Sequence, residues 1–294
     1  MKKGSTPSWS EQRAAAAEAM LVEGELVDQD FRGALIPGPR LLRGAKLLRV
    51  RLERARLEEW SVEACTFDAV NFSAASLNGW RDQGNVFANC LFEETSLRDS
   101  GLGYRGSRFK NCRFARVDFR RVSFARAEFD DCVFESCRFE GVDLFASSFE
   151  RGAFTGTVAE AWFRGGYPLG EDEAKYGPAR QNRMLGVDFS MADLRWVTFS
   201  DGCDLSTCRL PEDDQVVRFG DWPRVLARAR QVVAERLDGT VLKEAQRWLG
   251  IFETHAQRQD WYIVNFRDLA EETRNVLGTS FRDLLVECAA TTAH

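Results

Sequence analysis

Histidine is almost absent from this chain: among 294 residues, only His255 and His294 carry an imidazole. Catalysis by a histidine base and histidine-rich metal sites both need such side chains beside a nucleophile or beside further ligands. The sequence also contains no G-x-S-x-G, H-E-x-x-H, P-loop or Rossmann fingerprint. We therefore predict that the protein is not an enzyme and uses neither a metal nor a cofactor.

Long apolar runs and a strong net charge are missing as well. No run approaches the ~20 apolar residues that a membrane-spanning helix needs. Glu11, Arg13 and Glu18 interrupt the N-terminal stretch, which therefore lacks the apolar segment of a secretory signal. The formal net charge of −5 gives no overall attraction to nucleic acid or to an anionic membrane. We expect a cytoplasmic protein without membrane contact, in which direct nucleic-acid binding is disfavoured.

Proline is scarce, and none of its seven residues lies in residues 42–156 or 187–210. These two blocks carry a repeat of five residues, with a large apolar side chain at every fifth position. In the most regular part, ten successive fifth positions are all Phe or Leu. These positions are Phe109, Phe114, Phe119, Phe124, Phe129, Phe134, Phe139, Leu144, Phe149 and Phe154.

A small residue stands two positions before each large one, as Cys112, Val117, Ala127 and Cys132 illustrate. A period of five fits neither the 3.6-residue helix nor the two-residue strand. It fits a chain that coils around an axis, so that identical positions stack from coil to coil at the strand spacing of about 4.8 Å. Both columns then face a narrow interior, which cannot hold two columns of large side chains.

The motif can be written as small residue, polar, Leu or Phe, polar, polar. The segments "CRFAR" (112–116), "AEFDD" (127–131) and "VDLFA" (142–146) follow it. In this respect the chain resembles the pentapeptide-repeat proteins, strongly over about 42–156 and weakly over 187–210. The resemblance implies a mainly β fold, the right-handed quadrilateral β-helix, with four pentads per coil and one pentad per side.

Seven of the eight cysteines follow the repeat as well, and Cys288 lies in the predicted helical domain. Those at 65, 90, 112, 132 and 137 occupy the small column, and Cys203 and Cys208 do so too if Leu205 and Leu210 are large positions. Their spacing is therefore the period of the repeat and not the C-x₂-C spacing of zinc sites. We interpret them as small buried side chains.

The rest of the chain divides around the repeat. Residues 1–36 are predicted as an N-terminal cap helix followed by a first imperfect repeat, because a β-helix end needs a cover for its strand edges. The β-helix is expected over 37–210, with an inserted loop at 157–186 that breaks the pattern. Residues 211–218 look like a linker, and 219–294 contain four stretches with helical apolar spacing, which predict a C-terminal helical domain.

Three departures from the repeat are candidate contact sites for a partner. Asp82 occupies an inward position, so we expect residues 79–85 to bulge outward; the seven-residue step at 101–107 predicts a second protrusion. The inserted loop is the third, since loops on a rigid scaffold often carry function, although it is equally compatible with a loop folded back over the scaffold. The candidate residues are Trp80, Arg81, Tyr104, Arg105, Trp162, Phe163, Arg164, Tyr167, Glu171, Asp172, Glu173 and Tyr176.

The resemblance also implies a function to test, because well-understood members of the family protect DNA gyrase by mimicking DNA. Mimicry along the whole rod demands acidic coils. Residues 42–156 instead contain 18 basic and 17 acidic residues, whereas 157–218 contain 7 basic and 11 acidic ones. We therefore predict a non-enzymatic scaffold that presents its loop and helical domain to a protein partner. Protection of gyrase or another type II topoisomerase is the alternative, and homodimerisation stays open.

Overall fold

The structure is a computed structural model and describes residues 24–36, 38–255 and 258–292. The helix predicted over residues 8–23 lies outside this part of the chain. The first part winds into a parallel β-solenoid, and a helical domain follows at its C-terminal end. This confirms the predicted quadrilateral β-helix. Within the described residues, no helix has both the length and the apolar character that crossing a membrane requires.

Each coil turns four times because a residue with a left-handed backbone recurs at the corners. Ala64, Ala69 and Ala74 are successive examples, with φ of 51°, 53° and 55°. Such a φ costs an L-residue roughly 1–2 kcal/mol. Hydrogen bonds between coils offset this cost, as when Ala64 N donates to Gln83 O and Ala69 N to Ala88 O. Short extended segments between corners form the sides, and for this reason the sequence repeats every five residues.

We number the four sides in the order in which the chain passes through them. The first side is a seven-stranded sheet of Glu25–Val27, Lys46–Leu48, Thr66–Asp68, Val86–Ala88, Arg108–Lys110, Glu128–Asp130 and Ser148–Glu150. The second side contains Leu91–Glu93, Arg113–Ala115, Val133–Glu135, Ala153–Ala159 and Asp188–Arg195. The third side is held mostly by single-residue bridges, such as Ser96 to Asp118. The fourth side contains Arg40–Arg43, Trp60–Glu63, Arg81–Gln83, Gly101–Tyr104 and Ser123–Phe124, and then a separate sheet of Asp143–Leu144, Trp162–Arg164 and Thr198–Ser200.

Phenylalanine rings stack from coil to coil inside the solenoid. On the first side, the rings of Phe87, Phe109, Phe129 and Phe149 lie 4.7–4.9 Å apart between centroids and within 19° of parallel. Rings of adjacent sides meet edge to face, such as Phe109 and Phe114 at 5.8 Å. This geometry fills the interior at high density. The buried column includes Phe109, Phe114, Phe119, Phe124, Phe129, Phe134, Phe139, Leu144, Phe149 and Phe154.

On the fourth side, neighbouring inward positions compensate each other in volume. Trp60 precedes Val62 and Trp80 precedes Asp82, so the larger ring occupies the position that is small elsewhere. Trp80 is 2% exposed and Asp82 is fully buried. The prediction that residues 79–85 bulge outward and expose Trp80 is therefore wrong.

The helices are α1 (Gly170–Tyr176), α2 (Trp222–Arg236), α3 (Gly239–His255), α4 (Phe266–Glu272) and α5 (Gly278–Thr292). An antiparallel strand pair, Val216–Phe219 with Tyr262–Asn265, joins them. The predicted linker 211–218 thus ends in a strand, and the third stretch predicted as helical begins as one. The secondary structure of these two segments depends on pairing between strands that lie far apart in the sequence. Local apolar spacing carries no information about such pairing.

The helical domain closes the C-terminal end of the solenoid. The carboxylate of Asp268 on α4 accepts hydrogen bonds from Arg195 Nε at 2.8 Å and from Trp196 N at 2.6 Å. Gln259 Nε2 donates to the carbonyl of Cys203 at 2.7 Å. These contacts satisfy polar groups at the last coil, where no further coil follows.

Candidate functional site

The seven-residue step at 101–107 forms a bulge on the fourth side. Gly103 has a φ of 86°, and a Cβ there would stand 2.5 Å from Ala127 Cβ. Only glycine therefore fits this close approach. The bulge places Tyr104 half-buried at the corner and exposes Arg105.

A buried polar network lies directly behind this bulge. Asp82 Oδ2 accepts a hydrogen bond from Gly103 N at 2.7 Å. Asp82 Oδ1 accepts one from Ser107 Oγ, also at 2.7 Å, and one from Asn85 Nδ2. Asn85 Nδ2 also donates to the carbonyl of Val62 at 2.8 Å, which fixes the amide. The carboxylate, although buried in an apolar interior, is thus satisfied by two donors of the coil that carries the bulge and by Asn85 of its own coil.

The same network sets the protonation of Asp82. Burial raises the pKa of Asp82 from 3.8 to about 6, against the opposing effect of the hydrogen bonds from Gly103, Asn85 and Ser107. At neutral pH the group is ionised and accepts all three bonds. In mildly acidic solution it takes up a proton.

The inserted segment begins later than the sequence analysis placed it. The chain leaves the solenoid after the strand Trp162–Arg164 and returns at Asn182, so only part of 157–186 is inserted. The cause is Val158, which is buried and continues the inward column four residues after Phe154 instead of five. We call the residues between Arg164 and Asn182 the insertion.

The insertion folds back along the corner between the fourth and first sides. The rings of Tyr167 and Tyr176 lie 6.2 Å apart and pack on Phe145 at 5.3 and 5.7 Å. Arg126 donates to the carbonyl of Tyr176. Tyr176 also meets Tyr104 of the bulge edge to face, with 6.4 Å between the ring centroids. Two departures from the repeat that are far apart in sequence therefore form one surface.

Arg180 fastens the returning part of the insertion to the first side. Its guanidinium forms ion pairs with Asp130 at 3.0 Å, with Glu150 at 2.5 Å and with Glu128 at 3.6 Å. The sequence analysis missed this residue. Assigning pentads to sides places the three acids on one outer face, and that grouping predicts a cation that covers them.

The outward side of the insertion is acidic around one apolar residue. Leu169 is 56% exposed, Glu171 and Glu173 are exposed, and Asp172 is half-buried. Within the described part of the chain, none of these three acids forms a salt bridge. We define the corner surface by its outward residues, which are Tyr104, Arg105, Leu169, Glu171, Asp172, Glu173 and Tyr176.

Trp162, Phe163 and Arg164 lie away from this surface, although the sequence analysis grouped them with it. Phe163 is fully buried in the solenoid core. The guanidinium of Arg164 lies 3.6 Å from the centroid of the Trp162 ring and pairs with Asp143 and Asp201, both at 2.9 Å. The prediction that Trp80 and Phe163 contact a partner is wrong, because both side chains lie inside the coil, where a partner cannot reach them.

Arg81 and His255 are two further polar residues named in the sequence analysis. Arg81 is exposed and donates to the carbonyls of Gly79, Trp80 and Asp99. His255 lies beside Tyr262, with 3.4 Å between Nδ1 and the hydroxyl oxygen, and burial lowers its pKa. Among the described residues, no three His, Cys, Asp or Glu side chains are grouped so that they could hold a metal ion.

A family model matches the repeat in the middle of the solenoid. The family model described as pentapeptide repeats matches eight copies over residues 105–141. A comparison with curated proteins finds no match. Among solved structures, trypsin-treated QnrB1, a plasmid-mediated fluoroquinolone resistance protein, is 22% identical over 65% of this chain and 85% of its own, with a TM-score of 0.36. HetL, a pentapeptide-repeat protein involved in heterocyst differentiation regulation from the cyanobacterium Nostoc sp. strain PCC 7120, is 15% identical over 64% and 83%, with a TM-score of 0.27. Residues 105–141 are therefore pentapeptide repeats, and they lie in the middle of the four-sided coil.

Proposed function

We propose that this protein is a non-enzymatic scaffold that binds a protein partner through the corner surface. The contact between Tyr176 and Tyr104 is the observation that supports this most directly. The repeat breaks its pattern at two distant places, and both breaks meet at one corner of a stiff solenoid. A surface that is already ordered loses little conformational entropy on binding, and aromatic side chains are frequent anchors of interfaces.

The charge of the surface specifies the kind of partner. Glu171, Asp172 and Glu173 follow the exposed Leu169 in the first turn of α1, and they outnumber the exposed cations Arg105 and Lys175. A basic surface with a small apolar centre complements this arrangement, and the charges would steer its approach and fix its orientation. We therefore propose that the partner is a basic protein.

The coils themselves do not support mimicry of DNA along the rod. Many of their outward charges are paired between neighbouring coils, such as Arg113 with Glu135 at 2.5 Å and Arg151 with Asp131 at 2.8 Å. Such pairs present alternating charge and not the uniform acidic field of a duplex. Topoisomerase protection would thus have to act through the corner surface, and it enters the experiment as one identity of the partner.

Site-specific photocrosslinking in the native host tests the proposal. A photoreactive phenylalanine derivative replaces the exposed Lys175 on α1 in one protein and the exposed Arg138 on the third side in a matched control. We expect one protein to be captured from position 175 and not from position 138.

Charge reversal then tests the acidic surface. The double change Glu171→Lys and Glu173→Lys should abolish capture, while Glu235→Lys on α2 should leave it unchanged. Equal capture from both crosslinking positions, or capture that survives the double change, would contradict the proposal. If the captured protein is a topoisomerase subunit, a supercoiling assay with a quinolone decides whether binding protects it.

A further inference from the structure

The corner surface depends on a bulge whose conformation is not fixed by the repeat. On the neighbouring coils of the fourth side the strands pair without a shift, whereas Gly103 is an extra residue between the paired positions Arg81 with Gly101 and Gln83 with Tyr104. Two extra residues in a half-buried segment have several ways to fold. Something specific must select the conformation that brings Tyr104 to Tyr176.

We infer that the buried carboxylate of Asp82 is the positioning residue of the corner surface, because it holds Gly103 and Ser107 at the two ends of the bulge. Gly103 N and Ser107 Oγ each lie 2.7 Å from a different oxygen of this carboxylate. Ser107 Oγ in turn accepts a hydrogen bond from Asn85 N at 3.0 Å, so the far end of the bulge is tied to the coil below. Tyr104 lies between the two held points.

The substitution pattern of the inward columns supports a dedicated role. Asp82, Asn85 and Ser107 all occupy positions that hold apolar or small side chains elsewhere in the repeat, and all three are at most 1% exposed. A buried carboxylate is costly compared with a leucine in the same place. Ser107 has polar counterparts in the small column at Thr95 and Ser100, so Asp82 and Asn85 are the replacements that set this place apart, and their convergence on the bulge indicates a role there.

Ionisation of Asp82 should matter for this role. Hydrogen bonds to a charged acceptor are roughly twice as strong as those to a neutral one. The titratable side chain that senses Asp82 is Cys65 of the coil below, a buried thiol whose pKa burial raises, and no cation faces the carboxylate among the described residues. When Asp82 takes up a proton, the bond from Gly103 N should weaken.

Selective labelling of tyrosine gives a direct readout in the full chain, which contains only four tyrosines. Protonated tyrosine in a deuterated background should show one nuclear Overhauser effect between Tyr104 and Tyr176 and a second between Tyr167 and Tyr176. Asp82→Leu restores the residue type of the repeat and should remove the first effect while keeping the second. Val62→Leu places the same residue one coil below, again after a tryptophan, and should keep both.

A persistent Tyr104–Tyr176 effect in a folded Asp82→Leu protein would overturn the inference, as would its loss in Val62→Leu. Ser107→Ala removes one of the two held points without adding volume and should weaken the same effect selectively, so the test does not depend on the folding of Asp82→Leu. An unchanged effect in Ser107→Ala counts against the role of that end.

The chemical shift of the Gly103 amide proton reports on the hydrogen bond to Asp82, and a purely structural role of Asp82 would not make this shift depend on pH. Its chemical shift should titrate between pH 7 and 5 in the wild type and stay constant in Asp82→Asn, with the corner amide of Gly141 as an internal control. A flat titration in the wild type would contradict the inference. The importance of Asp82 for binding rests on the proposed function, but its control of the bulge does not: loss of the tyrosine contact without loss of photocrosslinking would reject the binding surface alone.

Discussion

Asp82 should give the protein an unusual dependence of stability on pH. The pKa of Asp82 is raised by burial to about 6 in the folded chain, against its ordinary value of 3.8. This difference of about two pKa units corresponds to about 3 kcal/mol of unfolding free energy. Because the folded pKa is the higher one, this contribution is fully present below about pH 4 and is lost as the pH rises through 6.

The assay compares wild type with Asp82→Asn, which keeps the volume and removes the titration. Urea unfolding followed by circular dichroism at several pH values between 4 and 7.5 gives the stability of each protein. The other carboxylates titrate in both proteins, so the difference between the two isolates Asp82. Wild type should gain up to about 3 kcal/mol relative to Asp82→Asn when the pH falls from 7 to 4. A difference that does not change with pH, or that changes in the opposite direction, would refute the buried, cation-free carboxylate.

Other parts of the structure lead to three further predictions. Phe129→Ala, which removes a ring stacked on both sides and only 2% exposed, should lower the unfolding free energy by about 3–5 kcal/mol, while the exposed Arg120→Ala should change it by less than about 0.5 kcal/mol; equal effects in thermal or urea unfolding would mean that the inward register is misassigned. All eight cysteines should be free thiols that react with a thiol reagent after denaturation and react only slowly in the native protein, because the structure buries each of them; rapid native labelling would contradict this. Asp268→Ala should destabilise the protein by about 1–3 kcal/mol, because it leaves the Trp196 amide without its acceptor and leaves Arg195 with Glu271 as its remaining partner; a melting temperature equal to that of wild type would show that the helical domain is not fastened there.

The coils follow from the sequence because one local rule builds them. Each pentad supplies an inward large residue and an inward small one, so the period of five specifies which residues face inward, while the resemblance to pentapeptide-repeat proteins implies four sides per coil. The rule fails at Asp82 because it treats each pentad separately. It therefore overlooks that Trp80, two residues earlier, fills the volume that a large side chain at position 82 would occupy. It also fails at Val158, because the inward column continues there after four residues instead of five. A search for a five-residue period therefore misses this strand.

The candidate site depends on contacts that no local pattern contains. Tyr104 and Tyr176 each stand out as an aromatic residue in an irregular segment, but their contact is decided by how the insertion folds back. The same holds for Arg180, which is an ordinary arginine in the sequence and a cation over three acids in the structure. The strand Val216–Phe219 is a third case, because its partner lies beyond two helices.

Replacement of the insertion is the most direct test of whether the corner surface binds the partner. Residues 168–179 are exchanged for a short Gly-Ser link, which keeps the packed Tyr167 and the anchor Arg180. Thermal melting and photocrosslinking to the partner are measured on the same sample, with the crosslinker at Arg105 so that the reactive group survives the exchange. We expect the protein to melt within a few degrees of wild type and no longer to capture the partner. Unchanged capture by a folded protein would contradict the claim that the corner surface is the binding site.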